Sequence, residues 1–76
     1  MEISTFLQNF ANILDDTDAV LILANVSFRD LDEWDSLTAL SLIAMVDEEY
    51  GVKLTGDDIK SSVVIQDLFD KVNAKL

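Results

Sequence analysis

Seventy-six residues, half of them apolar, are enough for one small domain and too few for two, or for a catalytic cleft with walls of its own. Neither cysteine nor histidine is present, which excludes disulfides, thiolate or His-ligated metal sites, thiol nucleophiles and Ser-His-Asp chemistry. Fifteen acidic side chains against five basic ones give a formal charge of −10; that balance points away from nucleic acid and anionic membranes and toward basic protein surfaces, although it also serves plain solubility.

The first segment places Ile3, Phe6, Leu7, Phe10, Ile13 and Leu14 at helical spacing with Gln8, Asn9 and Asn12 between them. This predicts an amphipathic helix ending near Asp15-Asp16, where two acids oppose the helix dipole. The start lacks a basic stretch followed by an apolar run, and no apolar run approaches a membrane span, so a cytoplasmic protein without a membrane-crossing segment is expected.

From Thr17 to Asp35 the period is lost. Val20-Leu21-Ile22-Leu23 fits a strand or a helix extension locally, but no second β-rich run follows to pair with a strand. The stretch reads as a long ordered loop anchored by Val26, Phe28 and Leu31; a loop of this length in a small domain tends to be functional or partly helical.

A second helix is predicted from Ser36 to Tyr50, with Asp35 as its cap and Gly51 as its stop. Its core stripe is Ala39, Leu42, Ile43, Val46 and Tyr50. Thr55, followed three residues later by Asp58, resembles a capping box and starts a short helix from Gly56 to about Ser61. The last segment, with Ser61 or Ser62 as cap and Ile65, Leu68, Phe69, Val72 and Leu76 on one side, is a fourth helix. The sum is an all-α four-helix bundle, three longer helices plus one short one, with a long first loop and residues 1–76 as a single domain.

Ser36 stands where an acidic, aperiodic stretch meets the longest helix, so its hydroxyl lies near backbone N–H groups that have no helical partner. Such a position suits a phosphate. The same Asp-Ser pair is also what an ordinary helix start contains, and the residues alone leave both readings open.

The run Ser27-Phe28-Arg29-Asp30-Leu31, then Trp34-Asp35-Ser36-Leu37, then Leu42 through Gly51, resembles the acyl carrier protein family, and the resemblance extends over essentially the whole chain. It implies a carrier rather than an enzyme: 4′-phosphopantetheine joined covalently to Ser36 of the Asp35-Ser36-Leu37 motif by a separate phosphopantetheinyl transferase. The arm's thiol would hold acyl or aminoacyl groups as thioesters. The partners implied are that transferase, an acyl- or aminoacyl-loading ligase, and an acyl-accepting transferase or synthase with a basic docking surface. Nucleic acid and membranes are not expected partners, and a monomer is expected because the unneutralised charge resists self-association.

Glu33 stands where fatty-acid carriers of this family have a glycine, Trp34 replaces a small residue, and Thr38 and Ser41 replace residues often acidic there. These departures resemble stand-alone carriers of specialised pathways, including carriers of aminoacyl or short acyl groups. Leu37, Ser41, Ala44, Met45 and Glu48 fall on a face beside Ser36 and offset from the core stripe, and are candidates for partner binding; for Leu37 and Met45, ordinary burial competes. Asp47-Glu48-Glu49 in the last turn is misplaced against the dipole, which suits either a docking charge or a solvated run. Trp34 is placed to contact the arm or a partner, or to pin the loop. An acyl chain could pass Ile43, Val46, Ile59 and Leu68, residues any core would contain.

A calcium loop is excluded because Asp30-Leu31-Asp32-Glu33-Trp34 fails at its fifth position and no glycine follows. Ser36 lacks the G-x-S-x-G surround of a hydrolase. The remaining rivals are an aminoacyl or peptidyl carrier of the same fold and an unmodified acidic helical interaction module.

Overall fold

The apolar spacing of the first segment produces a helix, α1 (Ile3–Asn12), whose Phe6 and Phe10 are fully buried. In the computed structural model, which describes residues 2–76, it is followed by α2 (Ser36–Tyr50), α3 (Gly56–Lys60) and α4 (Ile65–Ala74). Two single 3-10 turns, Ala19–Leu21 and Phe28–Asp30, punctuate the long connection between α1 and α2. Among the described residues no strand forms, and no helix is long and apolar enough to cross a membrane.

Phe6 and Phe10 of α1 meet Leu42 and Val46 of α2 and Leu68 and Val72 of α4 in one core. Phe6 packs edge-on against Phe69, with ring centroids 5.7 Å apart, and lies 6.0 Å from Tyr50, whose hydroxyl accepts a 2.9 Å hydrogen bond from the Asn9 side chain. The core stripe of α2 is as its spacing predicts, with the addition of buried Met45. Gly51, at φ 67°, closes α2 in the left-handed conformation that a side chain disfavours.

The first helix stops at Asn12, short of Asp15, and Ile13 caps it. The Val20–Leu23 stretch is neither strand nor helix extension. It makes the Ala19–Leu21 turn, capped by Asp18, and sends Ile22 alone into the core while Val20, Leu21 and Leu23 stay exposed.

The predicted cap of the fourth helix is corrected. Neither Ser61 nor Ser62 serves; Val64 is the boundary residue, and the Asp67 carboxylate accepts from the N–H groups of Val63 and Val64. The next two N–H groups, of Ile65 and Gln66, donate to the carbonyls of Val26 and Ala24 in the first connection. A tertiary partner therefore does what a local side chain was expected to do. Ser62 is instead fully buried, donating to the Asp58 carbonyl at 2.8 Å. Leu76, expected on the buried side, lies beyond the end of α4 and is 62% exposed.

Arg29 fastens the same connection to the α3 end of the molecule. Its guanidinium donates to the carbonyls of Ile59 and Ser62, both at 2.6 Å, and lies over the Phe28 ring. A cation on carbonyls at a helix C-terminus is favourably placed.

Candidate functional site

Asp35 has extended backbone geometry and its carboxylate accepts the Thr38 N–H at 2.8 Å, which makes it the N-cap of α2 and Ser36 the first helical residue. The Thr38 N–H, foremost, holds the Asp35 carboxyl below its ordinary range. Ser36 is exposed. The first i→i−4 bond of the helix is from Ala39 to the Asp35 carbonyl, so the N–H groups before Ala39 have no preceding helical turn to pair with, and the Thr38 N–H is taken by the Asp35 carboxylate.

Asp35, held ionised, is a weak proton acceptor, and the chain contains no histidine to take its place. The geometry offers an accessible hydroxyl at a helix N-terminus.

The stretch before Ser36 is held from two sides. Trp34 stacks on Phe10 with ring planes 5° apart and centroids 6.3 Å apart, and meets Phe28 edge-on at 4.9 Å. It is half-buried among these rings, so the pinning role is the one the structure gives it. On the other side the Glu33 carboxylate accepts from the backbone N–H groups of Asp15 and Asp16, each at 2.7 Å, and from the Thr17 hydroxyl at 2.6 Å. The Glu33 carbonyl accepts the Thr38 hydroxyl at 2.8 Å. These bonds, that from Thr17 first, hold the Glu33 carboxyl below its ordinary range. Glu33 thus joins the end of α1 to the first turn of α2. Its sequence signal was only that an acid stood where small residues are usual; the donors it meets are sixteen to eighteen residues away.

Of the residues expected on the partner-facing side of α2, Leu37 is 72% exposed, Ala44 and Glu48 are exposed and Ser41 is half-buried. Met45 is buried in the core, so the free chain does not present it; the helix rotation that places Val46 and Leu42 inward carries Met45 with them. Leu40, unremarked in the sequence, is 62% exposed three residues beyond Leu37. A large apolar residue outside the core stripe was the signal for it. Asp47, Glu48 and Glu49 are all exposed. Val46, Ile59 and Leu68, where an acyl chain would have to enter, are buried in the core, with Ile43 packed at its edge.

A family described as phosphopantetheine attachment site matches the chain over residues 4–72. The fold is similar to the solution structure of a holo acyl carrier protein from Geobacter metallireducens, with a TM-score of 0.79 and 29% identity, covering 96% of this chain and 83% of that one. No curated protein matches.

Proposed function

Because the chain belongs to the phosphopantetheine attachment family, with the fold of an acyl carrier protein, and is a carrier of a covalent 4′-phosphopantetheine rather than an enzyme, we propose that Ser36 is the attachment residue and residues 1–76 act as one carrier domain. One observation supports this above the others: Ser36 is exposed in the first position of α2, immediately after a formed Asp35 cap, inside the matched region.

When bound, the group supplies a terminal thiol on a flexible arm for thioester formation. Ser36 provides the ester oxygen. Asp35 fixes the helix start by accepting from Thr38, and the opening turn of α2 sets its dipole toward the phosphate. Trp34 and Glu33 keep the approach to Ser36 in one conformation through Phe10, Phe28 and the Asp15–Thr17 segment.

The cargo is an acyl group of a specialised biosynthetic pathway. Burial of Val46, Ile59 and Leu68 supports one short enough to stay outside the bundle, and an aminoacyl group fits the same geometry. The partners are a phosphopantetheinyl transferase, a ligase that loads the thiol and a transferase or synthase that takes the group. Their docking surface is basic with apolar contacts, and it meets Leu37, Leu40, Ser41 and Glu48, with Met45 beneath as support.

Intact mass before and after incubation with coenzyme A, magnesium and a broad-specificity phosphopantetheinyl transferase tests the assignment, beside a Ser36→Ala control. A gain of one phosphopantetheinyl group that the control lacks is expected. A folded, unmodified sample that gains nothing with several transferases would leave the unmodified interaction module as the reading.

A further inference from the structure

The charge is divided unevenly along the chain. Residues 1–50 hold eleven acidic side chains against Arg29 alone, whereas residues 51–76 hold four acids and four lysines. Folding preserves the division. Arg29 reaches away from its own segment to the carbonyls of Ile59 and Ser62, Lys75 pairs with Asp58 at 3.2 Å, and Lys71 reaches Ser61 and Ser62.

The connection between α1 and α2 is therefore left without a counter-charge of its own. A groove of about 490 Å³ runs through it, with Asp16, Asp18, Asp30 and Asp32 around Leu21 and Leu31. Leu21, in its lining, is 56% exposed, and its chain neighbours Val20 and Leu23 are 70% and 53% exposed. Three large apolar side chains in four residues do not face water in a flexible tail here. Asp18 caps their turn by accepting the Val20 N–H at 3.1 Å, and Ile22, only 3% exposed, nails the turn to the core. The three apolar side chains are held outward by built contacts, which is how an interaction surface differs from a loop that has merely failed to bury its residues.

We propose that this groove and the neighbouring Val20 and Leu23 side chains form a second docking surface, separate from the exposed strip of α2. Its occupant is a short amphipathic segment of a partner protein. An apolar side chain of that segment lies against Leu21 and Leu31, and flanking lysines or arginines face Asp18, Asp30 and Asp32. Charge complementarity selects this occupant. A second copy of the chain and an anionic lipid surface both bring negative charge to carboxylates that have no cationic counter-charge among the described residues. The surface involves neither Ser36 nor its arm.

The test is a titration of the isotope-labelled chain, followed by amide chemical shifts, with a synthetic amphipathic helix of leucine and lysine and with the same helix carrying glutamate for lysine. Shifts concentrated in residues 17–23 and 30–33 are expected for the lysine peptide only. Leu21→Ser should weaken its binding on the order of fivefold or more, and Leu40→Ser by less than about twofold, because only the former loses buried apolar contact. Asp18→Asn with Asp30→Asn should flatten the salt dependence. Since Leu21 is exposed, its variant keeps the wild-type helical spectrum.

Shifts centred on Leu37 and Leu40, an unaltered affinity in Leu21→Ser, or equal binding of the glutamate peptide would each overturn the proposal. So would the same shifts produced by phosphatidylglycerol vesicles. The Ser36→Ala chain should titrate identically, so this outcome is independent of the mass measurement on Ser36.

Discussion

The hydroxyl of Thr17 donates to the Glu33 carboxylate at 2.6 Å, across sixteen residues of chain with little regular structure. With the N–H groups of Asp15 and Asp16 on the same carboxylate, it closes the first connection into a loop. The closure ends three residues before Ser36, so the approach to Ser36 has a stability of its own that substitution can alter.

Replacing Glu33 with Gln should therefore lower the melting temperature and raise amide exchange over residues 13–35, and replacing it with Ala should do more. The helices themselves should keep their content by circular dichroism. Unchanged exchange in the connection would show that the three bonds contribute nothing in solution.

Acid should act on the same bonds. The carboxyls of Glu33, Asp35, Asp58 and Asp67 are all held below their ordinary range, chiefly by hydrogen bonds from Thr17, Thr38, Thr55 and Val63 respectively. A carboxyl depressed in the folded state adds stability that is fully present above its unfolded pKa, about 4, and is lost as pH falls through the folded value. Melting temperatures should fall as the pH is lowered from about 5 toward 2, and less steeply in Glu33→Gln, which has one such group fewer.

Phe28 belongs to a connecting segment yet is fully buried beneath Trp34 and beside Arg29. Phe28→Ala should cost about 3–5 kcal/mol, comparable with the whole net stability of a domain this small. Urea titration is expected to find the variant largely unfolded. A loss below about 1 kcal/mol would mean that the connection is not part of the cooperative core.

Gly51 has open space where a Cβ would stand, but its φ of 67° is left-handed. Gly51→Ala should cost about 1–2 kcal/mol through backbone strain alone, and Gly51→Asn less, because asparagine tolerates that conformation. Equal losses in the two variants would point to a contact rather than to strain.

On α2, Leu37→Glu and Leu40→Glu should leave the fold intact and slow transfer to or from a partner enzyme on the order of tenfold. Met45→Glu should unfold the chain instead, since its side chain is in the core. Wild-type transfer rates in both surface variants would remove the α2 strip as a docking face.

Much of this was legible in the residues. The span of α2, its Asp35 cap, its Gly51 stop and the Thr55–Asp58 box follow from short-range rules in which donor and acceptor lie within a turn of each other. Ser36 as a candidate site was equally readable, since both the helix start and the family motif are local. What the residues misjudged was the start of α4, whose N–H groups go to Val26 and Ala24 rather than to a serine cap, and what they left open was Met45, for which burial and docking competed until packing turned it inward.

Sequence by itself determined that this is an acidic, all-helical chain with Ser36 at a helix N-terminus, because periodicity and capping are written into neighbours along the chain; the carrier reading came from its resemblance to a family. Tertiary structure alone decided which apolar residues remain outside and how the long connection is held. Those outcomes depend on Glu33 meeting the end of α1, Arg29 meeting the end of α3 and Trp34 meeting Phe10. Each is a contact between segments far apart in sequence, and each exists only once the helices have packed.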